Sequence, residues 1–220
     1  MAEPVALTKH DALTGLPGYN SFLSDIAVRT QRAKTSNGNV SIALVDIDQF
    51  GAVNEAYGSE AGDEIIALLS RALVDVVGER DTVYRYGGDA FMILFLDTEK
   101  EQAFLKTEEA RKALEGGHEV RSGDSTITLD IAVSCGVASY PDDATSESVL
   151  LRKCHEALYR AKVSGRNKVC IAREEKMVTK TVHYTQGQLE GLTRLAKREG
   201  INEASLLREG LDDLLRKHNS

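Results

Sequence analysis

Tyr84-Arg85-Tyr86-Gly87-Gly88-Asp89-Ala90-Phe91 is the stretch on which the fold turns. Two glycines stand between apolar runs at 81–86 and 91–96, and a Gly-Gly pair so placed reads as a β-hairpin. Glycine admits positive φ and lets backbone come close to a ligand. Asp89 follows the pair directly. An ordinary hairpin turn explains this much; a ligand site needs further polar groups beside it.

Upstream, Val40–Ile47 (VSIALVDI) reads as a buried strand with Asp46 and Asp48 at its end. Strand alternation points the two carboxylates to the same side, about 7 Å apart. They repel unless a cation or donor compensates. One reading is a Mg²⁺ site, since hard cations take carboxylate and carbonyl oxygens. The other is a solvated strand end whose acids cap the turn. If this strand lies beside the hairpin, Asp46 and Asp89 can share one site.

Apolar periodicity places helices at 20–34, 60–77, 98–114 and 146–163, the second marked by Ile65, Ile66, Leu69 and Leu73. Residues 36–39 read as a turn, 125–139 as one long strand and 168–172 as a short last strand. Strand, helix, hairpin, helix, strand is the skeleton of a ferredoxin-like sandwich, an α/β (α+β) fold. Helices are expected on one face of a mostly antiparallel sheet, with the other face left for a ligand.

After Ala172 the pattern changes. The organisation predicted is a domain over 1–172, a charged link at 173–177 and a small module over 178–220. In that module MVTKTVHYT (177–185) alternates like a strand, 189–199 reads as a helix stopped by Gly200, and Asn202 is placed to cap a helix over 203–217. A unit this small buries too little surface to stand alone and is expected to form a homodimer.

The 220 residues carry a net charge of −7 and 42% hydrophobic residues, which implies a packed core and argues against broad nucleic-acid binding by the chain as a whole. Cys135, Cys154 and Cys170 lack metal-ligand spacing and read as free thiols in a reducing compartment. MAEPVALTKHD at the start has no secretory pattern, and no apolar run approaches the ~20 residues of a membrane span. A cytoplasmic location without membrane attachment is the expectation.

Five stretches in order resemble the GGDEF family of diguanylate cyclases. They are DALTGLP (11–17), DIDQF (46–50) with Asn54, Gly58, Gly62 and Asp63 after it, RYGGDAF (85–91), SCGVASYP (134–141) and ALYRAKVSGRN (157–167). The resemblance covers roughly residues 11–171 and implies a palm-like nucleotide-cyclase sandwich. It implies that Asp46, the Ile47 carbonyl and Asp89 hold Mg²⁺ under a GTP triphosphate. Asn54 and Asp63 would bind the guanine edge. Gly87 and Gly88 would let the hairpin backbone approach the nucleotide, and Lys162 and Arg166 would hold its β- and γ-phosphates. The reaction implied is attack of a 3′-oxygen on an α-phosphate, joining two GTP into cyclic di-GMP, with Asp89 among the catalytic acids.

The chain departs from the family at several points. Ala90 stands where the family carries the Glu of its signature, Gly51 where Lys is usual, and Gly18-Tyr19 where Asn-Arg is usual. The family's inhibitory product site uses an Arg and an Asp spaced RxxD; here 78–81 is Gly-Glu-Arg-Asp, so Asp81 is kept and the Arg is not.

The segment from Met177 onward resembles the ribbon-helix-helix family of DNA-binding proteins. That resemblance implies strands paired across a dimer, Val178, Val182 and Tyr184 toward the core, Thr179, Thr181 and His183 toward bases, and Asn202 at a phosphate. Its charge is nearly neutral, nine Lys/Arg against eight Asp/Glu from Arg173 on, and its base-facing side lacks an Arg. Three functions follow from the sequence. The first is a degenerate GGDEF domain that binds GTP or a related guanine nucleotide with little turnover and signals to a DNA-binding module. The second is an active diguanylate cyclase dimerised by its tail. The third is a non-catalytic protein scaffold.

Overall fold

A computed structural model describes residues 10–123, 125–173, 181–199 and 202–218. The chain divides near residue 174 into two units. The first runs α1 (Tyr19–Ser36), β1 (Val40–Ile47), α2 (Phe50–Tyr57), α3 (Ser59–Val76), β2 (Thr82–Gly87), β3 (Ala90–Leu96), α4 (Lys100–Ala113), β4 (Gly117–Ser122), β5 (Ser125–Asp130), β6 (Val133–Tyr140), α5 (Glu147–Val163) and β7 (Val169–Ile171). Five strands form one sheet in the order β2-β3-β1-β6-β7. β1 lies at its centre, antiparallel to β3 and β6, and β7 joins β6 in parallel.

Every residue from Val40 to Val45 is buried. A strand apolar on both sides needs cover on both faces of the sheet. Ala43, Val45, Ile93 and Phe95 pack with Ile65, Ile66 and Leu69 of α3 and with Ala103 and Ala110 of α4. The alternate residues Ile42, Leu44, Met92 and Leu94 pack with Phe22 and Ile26 of α1 and with Leu150, Cys154 and Leu158 of α5. The expectation of one open face is therefore corrected: helices cover both, and polar groups gather at the strand ends beyond Asp46. The α5 backbone lies very close to the sheet at Gly136, where a Cβ would stand 2.3 Å from the Cys154 carbonyl oxygen and 2.3 Å from the Leu158 nitrogen.

The single long strand expected over 125–139 is two strands. β5 pairs with β4 in a separate two-stranded sheet, and β6 enters the main sheet. The two halves differ in apolarity. β6 is buried at every position, whereas β5 is largely exposed and finds its partner in the preceding segment. The break at Ile131–Ala132 is closed by the Asp48 N–H, which donates to the Ala132 carbonyl at 2.9 Å.

The second unit contains α6 (Gln186–Glu199) and α7 (Glu203–His218). α6 starts three residues before the predicted 189, because Thr185 and Gln188 form a capping box. The Gln188 N–H reaches Thr185 Oγ1 at 3.4 Å, and the Thr185 N–H reaches Gln188 Oε1 at 2.9 Å. Residues 181–185 hold no regular secondary structure, so the strand predicted at 177–185 is absent over its described half. A ribbon strand needs a second chain to complete its hydrogen bonds, and one chain supplies none. Val178, Thr179 and the rest of that strand lie outside the described residues. Among the described residues, no helix is long and apolar enough to cross a membrane.

Candidate functional site

Asp46 pairs in register with Ala90 across β1 and β3, and the Ile47 N–H donates to the Asp89 carbonyl at 3.4 Å. Gly87 and Gly88 make the turn with φ of 145° and 55°, values that glycine alone adopts freely. The hairpin thus brings Asp89 beside the end of β1. Lys162, in the last turn of α5, sets its ammonium 2.5 Å from Asp46 Oδ1. Burial raises the Asp46 pKa, and the charges of Asp89 and Asp48 push the same way against the opposing hydrogen bond of Lys162.

Asp48 lies on the side that Asp46 faces, bonded to Ser134, the cross-strand partner of Asp46. β1 ends at Ile47 and Gln49 turns the chain with a φ of 58°. The Asp48 carboxylate accepts the Ser134 hydroxyl at 2.8 and 3.0 Å and the Asn167 N–H at 3.0 Å. Of the two sequence readings of these acids, Asp48 fits the turn-capping one, since its carboxylate anchors β6 and the turn after α5, while its charge still acts on Asp46.

Asn54 lies in α2 and Asp63 in the first half of α3, on two helices hinged at Gly58. The two helices meet at Gly62, where a Cβ would fall 2.0 Å from Asn54 Oδ1 and 3.0 Å from Phe50 Cζ. Asn54 Oδ1 is buried without a hydrogen-bond partner. A buried polar atom left open in this way awaits a ligand or water. Asp63 is exposed.

Arg85 links these groups, and its role was not drawn from the sequence although it lies inside the hairpin motif. Its guanidinium donates to the Gly88 carbonyl and sits 4.7 Å from the centre of the Phe91 ring. Burial lowers its pKa, while the charges of Asp11, Asp89 and Asp63 raise it. The charges of these three acids therefore act on one cation. The Arg85 N–H also donates to the Pro17 carbonyl at 2.9 Å, which ties the opening segment to the hairpin. That segment is a compact turn in which the Asp11 carboxylate accepts the Thr14 N–H at 2.9 Å and the Thr14 hydroxyl at 2.7 Å.

Arg166 follows α5 with a φ of 58° and an exposed side chain. Electrostatic interaction runs from Asp63 through Arg85 and Asp89 to Asp46 and Lys162, and Asn54 lies against Gly62, the neighbour of Asp63 in sequence. Asp81 belongs elsewhere. Its carboxylate is buried and takes Lys106 at 2.7 Å and the Gly78 and Leu96 N–H groups at 3.1 Å each, a structural role at the far end of β2. In the second unit Thr181 and His183 are exposed, and Asn202 precedes α7 with its carbonyl accepting the Leu206 N–H at 3.3 Å.

The sequence pattern of the family described as "Diguanylate cyclase, GGDEF domain" matches residues 8–168. Among curated relatives, Diguanylate cyclase A of Treponema denticola is 31% identical over 134 residues, 61% of this chain and 35% of its own length. Response regulator PleD of Caulobacter vibrioides is 31% identical over 159 residues, 72% of this chain and 35% of its own. The chain thus spans about a third of either relative. Among solved structures, the GGDEF domain of DgcB from Caulobacter crescentus, in complex with c-di-GMP, superposes with a TM-score of 0.71 at 26% identity, over 79% of this chain and 97% of that one. The FimX GGDEF domain from Pseudomonas aeruginosa shares the fold, with a TM-score of 0.68 at 20% identity. Pattern, relatives and fold agree, and the chain belongs to the GGDEF diguanylate cyclase domain family of cyclic di-GMP signalling.

Proposed function

We propose that the first unit binds GTP or a related guanine nucleotide with little or no turnover, and that it reports the bound state to the second unit. One observation carries this reading. Ala90 faces Asp46 in register, so the family's missing Glu would have stood at the centre of the acidic group, while the binding residues around it remain. Removing one such electrostatic contributor costs on the order of 10²-fold in rate or more.

In this reading Asn54, with its open Oδ1, and Asp63 take the guanine edge. Lys162 and Arg166 take the outer phosphates. Lys162 must then leave Asp46 as nucleotide enters, which frees that carboxylate for a cation. Asp46, Asp89 and the Ile47 carbonyl are oxygen donors of the kind Mg²⁺ takes, and nucleotide oxygens and water would complete its six ligands. Among the described residues no group of three acidic, His or Cys side chains is placed to hold a metal. The ion supplies Lewis-acid stabilisation of phosphate oxygens.

The second unit is the proposed output. Its helices expose Leu189, Leu195, Leu207, Leu211 and Leu214, a face suited to a homodimer. With the ribbon-helix-helix resemblance this favours a dimeric DNA-binding module acting through Thr179, Thr181, His183 and the Asn202 helix start.

A second reading, an active cyclase dimerised by this tail, is favoured by the closeness of Asp46 and Asp89, whose charges act on each other. Incubation of purified protein with labelled GTP and Mg²⁺, with Ala90→Glu alongside, separates the two. Nucleotide retained without product in the native protein, and cyclic di-GMP from the Glu variant, is the expected result. Turnover by the native protein equal to that of the variant would replace the first reading with the second.

A further inference from the structure

Gly165, Arg166 and Asn167, directly after α5, all hold positive φ, at 106°, 58° and 45°. Two successive non-glycine residues in this region persist only where the surroundings over-determine them. The backbone fixes the ends of the turn. The Arg166 N–H donates to the Ala161 carbonyl at 3.0 Å, and the Cys135 N–H donates to the Lys168 carbonyl at 2.9 Å.

Two side chains fix its middle. Asp48 Oδ2 accepts the Asn167 N–H at 3.0 Å, and Arg111 donates to Asn167 Oδ1 at 2.8 Å. Arg111 belongs to α4 and is 7% exposed. Three further hydrogen bonds go to Glu108 at 2.7 and 2.8 Å and to Glu115 at 2.7 Å, so its guanidinium is held at several points and has, among the described residues, one hydrogen-bonded link out of its own helix region. That link is Asn167, the neighbour of Arg166.

We propose that Arg111, acting through Asn167, and Asp48 are positioning residues that aim the Arg166 guanidinium at the outer phosphates of the bound nucleotide. The proposal rests on the guanine-nucleotide reading above. A guanidinium recognises phosphate as a directed fork, and its contribution depends on the orientation of the backbone that carries it. A turn locked from α4 and from the end of β1 supplies that orientation before the nucleotide arrives.

The test compares GTP with GMP, which lacks the outer phosphates, binding to the full chain. Arg166→Ala should weaken GTP on the order of tenfold and leave GMP nearly unchanged. Arg111→Met should reproduce this selective loss, and Arg111→Met with Arg166→Ala should be no weaker than Arg166→Ala alone. Asn167→Gly keeps a residue that accepts positive φ but removes the link to Arg111, and it carries the test if Arg111→Met fails to fold. Its expected effect is the same selective loss. Equal weakening of GTP and GMP, an unchanged ratio, or additive losses in the double variant overturn the proposal. A native chain that binds neither nucleotide overturns the guanine-nucleotide reading itself, and this proposal with it.

Discussion

Asp46 and Ala90 face each other across the β1–β3 pair, one a half-buried carboxylate and the other a methyl group. In the absence of metal, a Glu at position 90 would add a third acid beside Asp46 and Asp89. Like charges directly opposite on paired strands are destabilising by up to about 1 kcal/mol. Ala90→Glu should therefore melt earlier than the native protein in EDTA and recover with Mg²⁺ and GTP. A variant equally stable in EDTA and indifferent to both would place the ion elsewhere.

Gly62 is the contact between α2 and α3, and its missing Cβ leaves room for Asn54. Gly62→Ala must move Asn54 or part the helices, because a Cβ at 2.0 Å from Asn54 Oδ1 overlaps it outright. Overpacking of this kind costs about 1–3 kcal/mol. The expected outcome is a lower urea midpoint together with lost guanine binding. Retained GTP affinity would mean that Asn54 is not part of the guanine contact.

Much of this was legible in the chain. VSIALVDI predicts its strand to the residue, and the apolar stripe of Ile65, Ile66, Leu69 and Leu73 predicts α3 within a residue at each end. The cover on both faces was also written in VSIALV, because a run without polar alternation has no solvent side. α2 gave no signal, since its eight residues bury none of their side chains and so show no periodic apolar face. Arg111 was invisible for a different reason. A charged residue in a charged helix reads as solvated, and only tertiary packing reveals that it is buried against Asn167. Alternation put Asp48 on the side of Asp46, where it bonds Ser134, but its tie to Asn167 needed the tertiary fold to be seen.

Gly136 lets the α5 backbone rest against β6, and Lys162 of α5 reaches Asp46 from there. A Cβ there would meet backbone atoms at 2.3 Å, which cannot yield as a side-chain tip would. Gly136→Ala is expected to cost about 3 kcal/mol or more, since helix and sheet must part. Chemical denaturation measures this directly. A loss below about 1 kcal/mol would mean that α5 shifts without effect on the core.

Leu211 and Leu214 of α7 are 55% and 54% exposed, so changing them removes little packing within one chain. If a second copy covers them, Leu211→Glu with Leu214→Glu should give a monomer in sedimentation while the melting of the first unit stays the same. A native chain that sediments as a monomer at micromolar concentration would remove the dimeric tail from the proposed function.

His155 of α5 supplies a dependence on pH. Its Nε2 lies 3.0 Å from the Tyr86 hydroxyl, beside the hairpin, and burial lowers its pKa below the ordinary 6.5. The folded protein therefore favours the neutral ring, whereas the unfolded chain takes up a proton near pH 6.5. The stability from this group is complete above pH 6.5. It is lost as pH falls from there to the folded-state pKa, and it changes no further below. Asp46 acts with the opposite sign, since its raised pKa relieves a buried charge as the solution becomes acidic. That contribution is shared by the native protein and a His155→Gln variant, so their difference isolates the histidine. Urea midpoints at pH 7.5 and pH 5.5 should fall further in the native protein than in the variant. Equal falls in the two would show that the Tyr86–His155 contact holds as well with the ring charged, and that burial at this position does not select the neutral form.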